Sequence, residues 1–300
     1  MKSRTLFVLM TAALTLLAGC AEIVQVGTAA GEGAGVLSPE DREIINRQAQ
    51  SIAQAARPMT EKEEYYLGRG VAAAILGRYR LQADSRRNEY LNSIGRTIAL
   101  SSDKPYVYGG YHFAVLDTDE VNAMACPGGL ILISRGMLQR AGSEEEVAAI
   151  IAHEVGHVVN RDGVKAISAA RWSQVVTSLG TDAAGRYGGK ELADLTTLFE
   201  GSVTDVFKTI VVNGYSQEQE KTADENAMLY MRRAGYDPYG LPDFLARLAR
   251  EQQGGDRRGF FSTHPGMTER LQLARSFLAA KAWRRTDHAA RDQRFNAYRW

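Results

Sequence analysis

The chain has 300 residues, of which 45% are hydrophobic and 24% charged, with 36 basic against 35 acidic side chains and a formal net charge of +1. That length suits one large domain or two small ones, and the composition is that of a globular chain rather than a disordered or repeatedly membrane-spanning one. So even a charge balance leaves no electrostatic footprint for nucleic acid or for a polybasic membrane surface.

Residues 1–20 read MKSRTLFVLMTAALTLLAGC. Lys2 and Arg4 form a basic start, and Leu6–Leu17 is an apolar run of 12 residues, too short to span a bilayer. Leu17-Ala18-Gly19-Cys20 resembles a bacterial lipobox, which implies cleavage ahead of Cys20 and a lipid anchor on Cys20. Ala21 in place of aspartate resembles signals sorted to the outer membrane, so the expected location is the periplasm, on a membrane, the outer before the inner. Loss of residues 1–19 would take the net charge from +1 to −1. Cys126 is then left without a partner and is expected to be a buried structural thiol. The Gly/Ala-rich stretch 20–37 is a flexible tether.

Ser38-Pro39-Glu40 opens a helical region with an N-cap and Pro at the first helical position. Helices are expected from Thr60 through Arg80 and from Asp84 through Leu100. Tyr111–Leu116 and Leu130–Ser134 read as strands, and His112 as a strand residue rather than a ligand. Between them come the turn Asp117–Glu120, the stretch Val121–Cys126 and the turn Pro127-Gly128-Gly129. Arg135–Arg140 is a short helix.

Ala149–Asn160 reads AIIAHEVGHVVN and contains His153, Glu154 and His157 as H-E-x-x-H. Ser143 with Glu146 forms a capping box ahead of it, and Gly163 supplies a stop. On a helix, positions four apart share a face, so His153 and His157 can hold two corners of a zinc tetrahedron. Glu154 stands beside the first of them, where its carboxylate can act as a general base on water. The apolar residues around it make the helix buried, and a buried pair of imidazoles with a carboxylate needs polar partners that a metal provides.

Helical patterns follow at Val164–Leu179, Glu191–Val212, Ser216–Ala234, Leu241–Glu251 and Met267–Ala282, with a loop at Gly180–Gly189. The arginine-containing tail 285–300 reads as a solvated terminal helix. A catalytic zinc needs a third protein ligand. The metzincin extension would require histidine where Gly163 stands, which leaves a carboxylate on a later helix. In Tyr215–Asp224, Glu220 and Asp224 share a face, so Glu220 can ligate while Asp224 accepts a hydrogen bond from a ligand imidazole. Glu218 competes as ligand but lies on a different face from Asp224.

Four stretches in order resemble the gluzincin-like HtpX-type family of zinc metallopeptidases, in its soluble BepA-like and LoiP-like lipoprotein branch. Asn122-Ala123 through Pro127-Gly128-Gly129 matches N-A-x-A-x-P-G-G, and His153–His157 matches H-E-x-x-H. Glu220 through Ala223-Asp224 matches E-x-x-A-D, and Thr263-His264-Pro265 with Arg270 matches T-H-P…R. Gln217 departs from the family's usual arginine, which touches a local ion pair and not the metal. The resemblance spans roughly residues 60–280.

It implies an α+β fold, a mainly helical zincin-like metallopeptidase domain over 38–284 with a small antiparallel sheet beside the H-E-x-x-H helix. It also implies one zinc per chain on His153, His157 and Glu220, with Glu154, Asp224 and His264 completing the catalytic group. In zincins the edge strand near the metal takes substrate as an added strand, a role expected here of Gly128, Gly129, Leu130, Ile131 and Leu132. The implied activity is endopeptidase cleavage of unfolded or misassembled envelope polypeptides, with outer-membrane assembly machinery as a candidate partner. Two rivals stand beside it: a latent protease or chaperone-like binding protein, and a zinc hydrolase of cell-wall peptide. Intact Glu154 favours chemistry. His264, held extended by Pro265, can donate to an oxyanion, block the metal as a fourth ligand, or be structural. Blocking is favoured, because a protease reading only β-strand backbone needs restraint.

Overall fold

The computed structural model describes Ser38 and residues 59–167, 200–253, 259–286 and 289–300. The expected leader, Cys20, the tether, the helical pattern before Pro58, the Gly180–Gly189 loop and most of the pattern after Val164 lie outside these residues.

Side-chain caps set the helix starts. Thr60 and Glu63 form a complete capping box at α1 (Glu61–Leu76), and Asp84 accepts the Arg86 and Arg87 N–H groups at α2 (Ser85–Leu100). Three strands follow: β1 (His112–Leu116), β2 (Ala123–Cys126) and β3 (Leu130–Ser134), in the sheet order β1-β3-β2. Gly128 and Gly129 take φ of 73° and 92° in the turn that sets β2 antiparallel to β3, with Cys126 opposite Leu130. β1 lies parallel to β3, with His112 opposite Leu130. The sheet is therefore mixed rather than wholly antiparallel. Each link reverses the chain, so β3 regains the direction of β1 and inserts between β1 and β2.

That insertion corrects one expectation. β3 is paired along both edges, so the segment Gly128, Gly129, Leu130, Ile131 and Leu132 has no edge to offer an added strand. The edges of the sheet are β1, which carries a bridge from Leu81 to Leu116, and β2, the edge strand packed against the H-E-x-x-H helix. Its ladder bonds to β3 run through Asn122, Met124 and Cys126, so Ala123 and Ala125 turn their N–H and C=O groups outward.

After the short helix α3 (Arg135–Leu138) comes α4 (Glu144–Val159), apolar nearly all round and buried on every side. Ser143 caps it by accepting the Glu146 N–H at 3.2 Å. The Glu146 carboxylate turns instead to the Gly142 N–H and to Arg247, so only half of the capping box forms. The chain reverses after α4 at Arg161 (φ 57°), not at Gly163, which sits within the single helical turn α5 (Asp162–Lys165). Residues 200–208 are helical and pass into a π-turn, Thr209–Asn213, which packs against β2. Then come α6 (Gln217–Arg233), α7 (Gly240–Gln253), α8 (Phe260–Thr263), α9 (Met267–Ala280) and α10 (Ala289–Ala297).

The tail is not a solvated helix. Phe295 of α10 is buried in the core, Tyr298 stacks on Tyr90 with ring centroids 4.8 Å apart, and Arg294 pairs with buried Glu144. Its arginines hide an apolar face that the composition alone does not reveal. Among the described residues no helix is long and apolar enough to cross a membrane.

Candidate metal centre

The periodicity of α4 places His153 and His157 one turn apart, with Nε2 atoms 3.1 Å from each other. Ser216 and Gln219 form the capping box that starts α6, and the first turns of α6 carry Glu220 against α4. Close approach is possible because α4 has Gly156 where a Cβ would fall 3.1 Å from the Ala223 carbonyl oxygen. Glu220 Oε1 lies 3.4 Å from His157 Nε2, and Oε2 lies 3.5 Å from His153 Nε2. His264 follows α8, and its Nδ1 is 3.2 Å from His153 Nε2 and 2.9 Å from Glu220 Oε1. One donor atom from each of the four residues falls within 4.8 Å of the others, and all four residues are buried. Glu218, the competing carboxylate, is exposed and outside this group.

Each α4 histidine has a carboxylate behind it. Asp224 Oδ1 lies 2.8 Å from His153 Nδ1, and Asp162 Oδ2 lies 2.9 Å from His157 Nδ1. A carboxylate can only accept, so each Nδ1 carries a hydrogen, and each Nε2, with its proton displaced by a metal, turns its lone pair to the common centre. Converging lone pairs, with a carboxylate added, suit a cation, and this donor set fits zinc. Burial draws the His157 pKa down, but Asp162 and Glu220 together push it up to about 9. Burial draws His153 down, and Arg270 adds to that. Arg270, in the first turn of α9, grips Asp224 with two bonds of 2.7 Å and reaches Glu220 Oε2 at 2.5 Å. Burial works to raise the Glu220 carboxyl, yet His264 and Arg270 hold it well below the usual range.

Glu154 is fully buried next to His153, and neither of its oxygens has a hydrogen-bond partner among the described residues. The nearest cationic candidate is His264 Nε2, 3.8 Å from Glu154 Oε1. Two further groups here are also buried without partners: both side-chain amide atoms of Asn122, at the start of β2, and the Tyr215 hydroxyl. Tyr215 stacks on the His157 ring at 4.1 Å.

Sequence reasoning missed Asp162 and Tyr215. The i, i+5 spacing of His157 and Asp162 matches no helical face, and it works only because Arg161 turns the chain back. Cys126, at the end of β2, is buried, and burial pushes its thiol up to about 12.

The profile of peptidase family M48 matches residues 85–277. The "Beta-barrel assembly-enhancing protease" of Escherichia coli K12 is 27% identical over 221 residues, covering 71% of this chain and 43% of that protein. "Metalloprotease LoiP" of the same organism is 27% identical over 281 residues, 93% of this chain and 98% of that one. A "Protease HtpX homolog" of Nitrosomonas eutropha is 28% identical over 188 residues, covering 54% and 64%. The chain thus spans less than half the length of the assembly-enhancing protease. With the family match covering most of its length and the donor set assembled as that chemistry requires, the chain belongs to peptidase family M48 and is a zinc-dependent metallopeptidase.

Proposed function

We propose that this chain is a metalloendopeptidase of the bacterial cell envelope that cleaves unfolded or misassembled polypeptides, outer-membrane proteins among them. The observation that carries this reading is Glu154, a buried carboxylate left without partners beside converging donors from His153, His157 and Glu220. When bound, zinc polarises the scissile carbonyl and makes water more acidic. Glu154 takes the proton of the attacking water and later delivers it to the leaving amine. Asp224 and Asp162 hold the two imidazoles in the tautomer that presents Nε2. The β2 edge at Ala123 and Ala125 receives substrate as an antiparallel strand, and the free Asn122 amide meets its backbone. Backbone pairing selects little by side chain, which suits unfolded chains. The names of the relatives support an envelope setting and a link to barrel assembly. Cys20 as lipid anchor, outer-membrane sorting and partnership with assembly machinery rest on the leader sequence and on those names.

His264 favours a latent form. Its Nδ1 lies among the donors rather than apart from them, and the π-turn Thr209–Asn213 packs against β2, the strand that substrate must reach. The test is hydrolysis of an unfolded β-barrel protein by wild type, Glu154→Gln and His264→Ala, with zinc measured in each. Glu154→Gln should keep about one zinc and lose hydrolysis. His264→Ala should raise basal proteolysis; a fall of about 10²-fold with zinc retained would make it an oxyanion donor instead. Zinc-loaded protein that binds the unfolded barrel but never cuts it, even as His264→Ala, would establish the chaperone-like alternative. Cleavage of cell-wall peptide alone would establish the other hydrolase.

A further inference from the structure

Glu64 is buried on α1, outside the chemistry described above and outside residues 85–277 that carry the family match. Its Oε2 accepts from Arg161 Nε at 2.9 Å, and its Oε1 lies 3.4 Å from the Gly128 N. One carboxylate therefore touches two turns at once: the reversal after α4 and the hairpin that ends β2. α1 reaches the hairpin at close range. A Cβ at Gly68, one helical turn beyond Glu64, would fall 1.7 Å from the Pro127 carbonyl oxygen.

Arg161 is held in the left-handed region (φ 57°, ψ 34°), which residues with a Cβ avoid. Its guanidinium is fixed from two directions, by Glu64 and by the Met59 carbonyl at 2.7 Å. The next residue is Asp162, whose carboxylate is placed on His157 by this reversal. We propose that Glu64 is a positioning residue: through Arg161 it holds the left-handed turn that seats Asp162 against His157, and through Gly128 it fixes the end of the β2 edge. The proposal rests on the reading of His157 as a zinc ligand.

The experiment uses the full chain with Glu64→Gln and with the double change Glu64→Gln/Arg161→Gly. Zinc affinity is read by competition with a chromogenic chelator, and thermal unfolding of the zinc-free protein is recorded beside it. Glutamine keeps an acceptor for Gly128 and loosens the hold on the guanidinium. Glycine adopts the left-handed turn with no side-chain anchor. Glu64→Gln should weaken zinc binding about tenfold or more, the range for groups that orient a ligand, and the double variant should recover most of that loss. A merely stabilising ion pair would lower the unfolding temperature and leave zinc affinity where it was. Unchanged affinity in Glu64→Gln, or a double variant as weak as the single one, overturns the proposal. Should Glu64→Gln not fold, the double variant decides alone: affinity near wild type supports the proposal, and a loss of about tenfold overturns it. Failure of the protease reading would leave these zinc measurements intact, so the two can be told apart.

Discussion

Two glutamates on the same helix, ten residues apart and both fully buried, are treated in opposite ways. Glu144, at the start of α4, accepts from the Tyr90 hydroxyl at 3.0 Å, from the Tyr236 hydroxyl at 3.2 Å and from Arg294 Nε at 2.7 Å. Glu154, near its middle, accepts from nothing among the described residues. A buried carboxylate is costly without partners. At Glu144 the fold supplies them from α2, from the loop after α6 and from α10. At Glu154 it supplies none among the described residues, beside the donors of the candidate metal centre. The contrast separates a carboxylate tied into the structure from one left without protein partners, the one proposed as the base.

The comparison breaks first at the reaction. Glu154→Gln should lower the hydrolysis rate by about 10²–10⁴-fold, the range for a general base, while denaturant unfolding shows no loss of stability. A stability loss matching that of Glu144 variants would dissolve the distinction. Glu144→Ala should do the reverse. It strands two tyrosine hydroxyls and an arginine, and should cost about 3 kcal/mol in denaturant unfolding, with zinc content per folded chain unchanged. A Glu144→Ala protein as stable as wild type would show that its partners contribute nothing. Asp162→Asn sharpens the picture by a smaller step. It should weaken zinc binding about 10–100-fold without removing the site, and zinc titration of the folded variant checks this. Smallest of all, Cys126 should resist a thiol reagent in the native state and react only on unfolding, because burial holds the thiol protonated.

The parts of the site that could be read in advance are those where helical periodicity turns spacing into geometry. His153, His157, Glu220 and Asp224 lie at four-residue intervals on two helices, and the structure brings them together. Asp162 could not be read, because its approach depends on a left-handed residue with no glycine to announce it. Two of the three strands, β1 and β3, were legible from their apolar runs, and the turn between β2 and β3 from Pro-Gly-Gly; β2 itself, within the stretch Val121–Cys126, was not. Which strand kept a free edge was not, because that depends on where β1 docks and no local pattern records it. The same holds for Glu144 and for α10. Their pairing joins residues 150 positions apart, and each end alone resembles an ordinary solvated charge.

That separation has a consequence for how the molecule is made. The first turn of α4 receives its arginine only when the chain has grown 150 residues further, a delay of about 8–30 s at synthesis rates of about 5–20 residues per second. Closing so long a loop is also a slow, non-local step in folding. The start of that helix is therefore completed late, after nearly all of the surrounding fold has been synthesised, and a chain interrupted ahead of Arg294 would carry the full set of donors on a helix held at its start by Ser143, Tyr90 and Tyr236 but without its arginine.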